Sequence, residues 1–207
     1  MLTVTLVLSM NLTACALPQN GALPEVGAVF ESQVASHVSF QEVIDVDSSG
    51  AVSSRWFTAS EPHAPREERM GYQRVRRSFL GMVHLETVGH SRLALSTQSL
   101  RRAISGMEPG DEIEMSAPYS LNVGGDLQTT VTTIQIRLEG CEAIRTPAGV
   151  FDVINFRVQR PTGTVSNGGQ ALREQVTTYS FAPEVGWPVR VVDHAGEMEL
   201  VNIHDVE

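Results

Sequence analysis

Ile134-Gln135-Ile136-Arg137-Leu138-Glu139 alternates apolar and polar side chains without a break, and Ile154-Asn155-Phe156-Arg157-Val158-Gln159 repeats the pattern. A period of two sets successive side chains on opposite faces of an extended chain, so each stretch reads as a strand with one buried face. Gly140, just past the first stretch, predicts a bulge or bend. The pattern continues outward in both directions. Toward the C-terminus, Thr177, Tyr179 and Phe181 share a face, Trp187, Val189 and Val191 make the next strand, and Met198, Leu200 and Ile203 the last. Toward the N-terminus, Val34, Val38, Phe40, Ile44 and Val46 share one parity, against Ser39, Gln41 and Asp45. Ser48-Ser49-Gly50 interrupts, and Val52, Trp56 and Thr58 resume. This predicts a hairpin whose two apolar faces lie on one side of the sheet.

Two further strands are expected at 72–80 and 82–88. Residues 60–71, with Pro62 and Pro65, read as a loop, because proline supplies no ladder donor. A single short helix is expected from Ser96 to Ser105: Leu100 and Ile104 stand one turn apart, Ser96 or Thr97 can cap the start, and Pro109-Gly110 stops it. Strands do not alternate with helices, which argues against a parallel α/β sheet. The expected fold is therefore mainly β: an antiparallel meander forming a strongly curved sheet or incomplete barrel with one short helix. A two-sheet β-sandwich is the alternative.

The chain carries a net charge of −9, which disfavours non-specific binding to nucleic acid. All 15 of its positive residues are Arg. Arg74, Arg76 and Arg77 form one local cluster and Arg101 with Arg102 another. They read first as solvated faces, with contact to an anionic ligand or lipid head as the other option.

The N-terminus holds an apolar run (Met1, Leu2, Val4, Leu6, Val7, Leu8, Met10) that ends in Leu12-Thr13-Ala14-Cys15. This resembles the signal segment and lipobox of a bacterial lipoprotein. The resemblance implies cleavage before Cys15 and acylation of its thiol, with palmitate-type chains holding the protein to a membrane. Ala16, where Asp would retain the protein at the inner membrane, resembles the outer-membrane sorting pattern. No Arg or Lys precedes the apolar run, so translation is expected to begin upstream of Met1. Two other readings stand beside this one. Ala14-Cys15-Ala16 also fits ordinary secretory cleavage, which would release a soluble protein, and Thr3, Val4, Thr5 and Val7 suit a buried strand. The organisation expected is a signal peptide at 1–14, a lipid-anchored flexible leash at 15–25 and a single β domain at 26–207. With Cys15 acylated, Cys141 is expected to be unpaired, a small buried hydrophobe.

Two stretches resemble uncharacterised bacterial periplasmic and lipoprotein β domains. These are Glu142-Ala143-Ile144-Arg145-Thr146-Pro147-Ala148-Gly149-Val150-Phe151-Asp152 and Thr178-Tyr179-Ser180-Phe181-Ala182-Pro183-Glu184-Val185-Gly186. The Met107-Glu108-Pro109-Gly110 segment matches a third feature of those domains. The resemblance spans about residues 95–195 and implies architecture, not a reaction. In physical terms Pro147 and Gly149, then Pro183 and Gly186, shape turns between strands.

Chemical motifs are weak. Gly89-His90-Ser91-Arg92-Leu93 lacks the second glycine of a nucleophile elbow. Asp45 to Gly50 copies the first half of a calcium loop, but Trp56 stands where the bidentate Glu belongs, so Asp47 and Gly50 read as turn residues. His84 and His90 would need the fold to bring them together, and Glu112 and Glu114 share a strand face but read as solvent-facing. No catalytic residue, metal or cofactor is expected. The expected function is non-catalytic: a lipid-anchored envelope protein facing the periplasm that binds an apolar ligand or a protein partner through a curved sheet. Trp56, Phe156, Tyr179, Phe181 and Trp187 are the candidate ligand-lining residues. The alternative is an envelope enzyme, hydrolase or metal-dependent, with a site near His84 and Ser91.

Overall fold

The structure, a computed structural model, describes Cys15, Leu17 and residues 23–34, 37–60, 70–166 and 169–204, with the backbone alone at 70–74, 161–166 and 169–173. The leader at 1–14 and residues 61–69 of the expected loop lie outside the described residues. Twelve strands run in chain order: β1 (Val29–Val34), β2 (His37–Val46), β3 (Ala51–Ala59), β4 (Met70–Phe79), β5 (Val83–Thr87), β6 (Ser91–Leu93), β7 (Glu112–Val123), β8 (Asp126–Thr146), β9 (Gly149–Ser166), β10 (Gly169–Ala182), β11 (Trp187–Asp193) and β12 (Gly196–His204). Each pairs antiparallel with its sequence neighbours, and β1 pairs with β12 to close the barrel. The meander is thus mainly β and antiparallel as expected. Its edges meet, so the sheet is neither incomplete nor split into a sandwich.

The alternating stretches fall where expected. Ile134, Ile136 and Leu138 of β8 are buried, as are Ile154, Phe156 and Val158 of β9. The β8–β9 register shifts between Leu138 and Gly140, the bulge that glycine announced, and Gly140 has φ 153°. Above the Gln135–Gln159 pair no ladder joins β8 to β9, so the β7–β8 and β9–β10 hairpins continue upward as separate arms. The positions of β7–β9 opposite the buried ones include Glu112, Glu114, Arg137, Glu139, Asp152 and Arg157, all exposed. A barrel wall in contact with lipid carries an apolar band there. This wall faces water.

The β2–β3 hairpin forms, but its faces correct the expectation. Gln41 pairs with Trp56 and Phe40 with Phe57, so Phe40 and Trp56 lie on opposite faces. The register slips at Ile44, between Val43 and Asp45. Val38, Phe40 and Ala59 form one small cluster, while Val43 and Val52 belong to a different one with Phe30, Trp187, Val189 and Leu200. The turn itself is as read. Asp47 accepts hydrogen bonds from the backbone N–H groups of Ser49 (2.8 Å) and Ala51 (3.1 Å), and Arg77 pairs with it at 3.1 Å. Burial opposes ionisation of Asp47, but these hydrogen bonds outweigh it and hold its carboxyl below the usual range.

The helix α1 (Thr97–Ile104) starts at the Ser96 cap, whose side chain accepts from the Ser99 N–H at 3.3 Å. Leu100 and Ile104 are buried against Phe79, Val83, Leu85, Ile134, Ile136 and Leu138. Arg101 donates to the Ser48 carbonyl at 2.7 Å and Thr97 bonds the Ser49 hydroxyl, which fix α1 beside the β2–β3 turn. That is the end of the barrel where β4 turns into β5, and there the chain folds inward as a floor. Leu80 has φ 50° and Gly81 φ 70°, both in the left-handed region. A non-glycine side chain in that region costs on the order of 1–2 kcal/mol. Leu80 offsets the cost by burial at 2% exposure, and its N–H donates to the Gly50 carbonyl at 2.9 Å. A Cβ on Gly81 would sit 2.9 Å from Pro188 and 3.0 Å from Trp187. Those two residues open β11, five strands around the barrel from β4, so the turn spans the bore.

Cys15 and Cys141 form a disulfide with a Cα–Cα distance of 5.6 Å. This corrects the expectation that Cys141 is unpaired: the closing of the barrel brings β8 beside the N-terminal segment, a proximity no spacing rule reveals. Leu17 is 4% exposed within the main core and Pro24 is buried. At these positions the expected leash is held against the barrel.

Candidate functional site

A cavity of about 470 Å³ occupies the bore above the floor. Its wall draws on nine of the twelve strands, all but β6, β7 and β8, whose side is filled by the core around α1. Gly81, Met82, Trp187 and Pro188 form its base. It reaches the opposite end, where Val34 and His37 flank the β1–β2 connection and Asp193 and Gly196 flank the β11–β12 turn.

Local register explains which side chains point in. Ser39 pairs with Thr58, Gln41 with Trp56, and Ser54 with Arg76, so Ser39, Gln41, Ser54, Trp56, Thr58 and Arg76 share the cavity face. On β9 and β10, Arg160 pairs with Gln175 and Gln159 with Val176, which sets Arg160, Gln175, Thr177 and Tyr179 on the same face. The bulge between Arg77 and Ser78 lets His84 join them while Val83 and Leu85 pack toward α1.

Of the expected lining residues, Trp56, Tyr179 and Trp187 line this cavity. Phe156 and Phe181 do not: each is 1% exposed and fills the core beside α1. Trp187 stacks on Phe30 with ring centroids 4.6 Å apart, and the Arg76 guanidinium lies 4.2 Å above the Trp56 ring.

The wall is more polar than expected. His84 bonds the Thr87 hydroxyl at 3.0 Å. Burial, together with the nearby positive charges of Arg160 and Arg76, pushes its pKa down to about 3, so the ring is neutral at physiological pH. Burial raises the Tyr179 hydroxyl above its ordinary value. Arg160 donates to Gln175 at 3.3 Å, and Gln175 donates to Asp193 at 3.1 Å. Three buried polar atoms of the wall, Ser39 Oγ, Arg160 Nε and Thr177 Oγ1, complete no hydrogen bond among the described residues. Thr177 still lies near enough to Tyr179 to favour its ionised form, so the first two are the clearer orphans.

The residues of the expected enzymatic site lie apart. His84 lines the cavity, but His90 is an exposed turn residue, and neither it nor Ser91 reaches the wall. No group of three metal-ligating side chains converges among the described residues. Glu112 and Glu114 are exposed on β7, and Glu114 accepts from Gln135 at 3.3 Å. A second, open cleft of about 1040 Å³ runs beside α1, where Arg77, Arg92, Arg101 and Arg102 meet Glu86. Sequence reasoning missed Arg160, Gln175 and Ser39. Arg160 and Gln175 carried one signal, polarity on the parity that buries Phe156 and Tyr179, whereas Ser39 lay on the polar parity opposite Phe40 and carried none.

No protein-family model and no curated protein sequence matches the chain. Solved structures resemble it at low identity. The hypothetical lipoprotein YmcC from Escherichia coli is 14% identical over 90% of this chain and 88% of that one, with a TM-score of 0.46. A candidate lipoprotein from Parabacteroides distasonis is 13% identical, covering 89% and 99%, at 0.44. A candidate exported protein with a YmcC-like fold from Bacteroides fragilis is 14% identical, covering 92% and 100%, at 0.43.

Proposed function

We propose that this chain is a non-catalytic protein of the bacterial envelope, facing the periplasm, whose barrel bore binds a small ligand. The observation that carries the reading is the cavity of about 470 Å³. It falls inside the range of roughly 300–1,000 Å³ in which small-molecule sites are found. It is walled from most of the barrel, closed below and reached from above, and it combines aromatic faces with a few placed polar groups. A protein partner is the second reading. It is favoured by the arms above Gln135 and Gln159, whose β8 strand exposes Leu127 and Val131 beside an edge that no ladder covers.

The leader supports export, and Cys15 supports anchoring at the outer membrane through acylation. Acylation and the bridge to Cys141 use the same sulfur, so one molecule holds one or the other. The acylated form is the anchored envelope protein, with Cys141 as a free thiol. The bridged form is an exported protein without a lipid tether.

Native mass spectrometry of protein purified from its own envelope tests both parts. The expected result is a lipid-modified Cys15 and a non-covalent adduct of small-molecule mass. A mass two hydrogens below the reduced chain, without lipid, identifies the bridged form instead. Loss of Cys15 by cleavage after Ala16 removes both. A bare chain that co-purifies only with an intact protein moves the function from the bore to the arms.

A further inference from the structure

We propose that the cleft between α1 and the outer face of β4–β6 holds a phosphate monoester, gripped by Arg92, Arg101 and Arg102. The site lies outside the bore and does not rest on the reading that the bore binds a ligand.

Strand register builds one side of the cleft. Arg77 of β4 pairs with Glu86 of β5, and Glu86 with Arg92 of β6, so the three side chains stand in one row. Thr87, next to Glu86 in the chain, lines the bore, so the row points outward. The other side is helical. β6 is only three residues long, and beyond it α1 buries Leu100 and Ile104 in one cluster with Leu85 and Leu93. Arg101 and Arg102 of that helix share with the row a hollow of about 1040 Å³.

Charge selects the ligand. The chain carries −9 overall, yet the cleft gathers four arginines around one acid, Glu86. Arg77 is matched by Asp47 at 3.1 Å, and Glu86 offsets one of the remaining three. α1 itself contains no acid. The next acids along the chain, Glu108 and Asp111, lie outside the lining, and Asp111 accepts from the Glu108 N–H at 2.8 Å. An excess of two positive charges is left. A phosphate monoester brings about two negative charges at neutral pH, whereas a carboxylate brings one.

The donors are placed to use it. Arg92 and Arg102 are exposed and make no ion pair or hydrogen bond among the described residues. Arg101 is held in position by its Nη1, which donates to the Ser48 carbonyl at 2.7 Å, and its Nη2 has no partner among the described residues. Guanidinium groups grip phosphate oxygens through paired N–H donors, and a concave site focuses their field.

The test titrates the purified protein with glycerol phosphate and acetate by calorimetry, and floats it with phosphatidylcholine vesicles made with and without phosphatidic acid. The monoester should bind in at least one form: glycerol phosphate tighter than acetate by on the order of ten-fold, or the phosphatidic acid vesicle over phosphatidylcholine alone. Vesicle retention identifies a lipid headgroup, and glycerol phosphate binding without it a soluble ligand. Replacing both Arg92→Gln and Arg102→Gln should weaken the bound probe by on the order of ten-fold or more. Glu86→Gln should tighten it about two- to five-fold, whereas Asp152→Asn, the same change of charge on β9, should leave it unmoved. No binding by either phosphate probe, equal affinity for acetate and glycerol phosphate, or equal gains from E86Q and D152N overturns the proposal. The E86Q and D152N comparison stands even if the double variant does not fold.

Discussion

The floor of the barrel and the bore above it share the same strands, yet they are packed in opposite ways. At the floor, Trp187 stacks on Phe30, Gly81 allows the β4–β5 turn to approach Trp187 within van der Waals contact, and Leu80 accepts a left-handed backbone to stay buried. In the bore, on β2, β9 and β10, the wall leaves hydroxyl and guanidinium groups unsatisfied. The first arrangement stabilises the fold. The second withholds stability that a ligand can supply on binding. The difference teaches where to look for function in this barrel: where the packing stops being complete.

Substitutions should separate the two regions by sign as well as size. Trp187→Ala should show the largest effect, a loss of about 3–5 kcal/mol in denaturant unfolding, because it removes the ring that Phe30 and Gly81 pack against. A loss under 1 kcal/mol would mean that the floor is not the stabilising end. Next, Cys141→Ser should cost about 2–4 kcal/mol if the bridge to Cys15 is formed, since the loop it closes spans 126 residues. In an acylated protein the same substitution should leave the unfolding midpoint nearly unchanged.

Acid should act through the bore. The pKa of His84 falls from 6.5 to about 3 on folding, so between those values the unfolded chain takes up a proton that the folded chain refuses. Stability should therefore be full above the unfolded pKa and decline by up to about 1.4 kcal/mol per pH unit as the pH drops through that window. His84→Gln should remove this share of the acid sensitivity, read from unfolding curves at pH 7, 6, 5 and 4. Parallel curves for the two proteins would place His84 in water, not in the wall. The smallest effect has the opposite sign. Ser39→Ala deletes an unsatisfied hydroxyl and should leave the empty protein unchanged or more stable by up to about 1 kcal/mol. A measurable loss would show that the hydroxyl has a partner after all.

Much of the architecture was legible because most strands bury one face and wet the other. Ile134 to Leu138 and Ile154 to Val158 announced themselves by alternation, Gly140 marked its bulge, and Leu100 with Ile104 marked the helix. The reading failed where the barrel's own interior is polar. On β2 and β3, Ser39, Gln41 and Ser54 face the bore, while Phe40 is buried on the reverse face. Parity then assigned Trp56 to the side of Phe40. The candidate aromatic set divided for a related reason. Trp56, Tyr179 and Trp187 reach the cavity and Phe156 and Phe181 do not, a distinction that depends on which stretch of wall α1 covers. The Cys15–Cys141 pair was not legible at all, since it joins distant parts of the chain.

The seam between β1 and β12 governs the order of assembly. Eleven of the twelve ladders join neighbours in sequence and can zip as hairpins while the polypeptide is still being delivered, but the twelfth must wait for the last strand. At that seam Glu31, wholly buried, meets His204 at 2.7 Å across a separation of 173 residues. A chain delivered from its N-terminus therefore stays an open ribbon until β12 arrives, and truncation within β12 leaves β1 paired on one side alone, with β2.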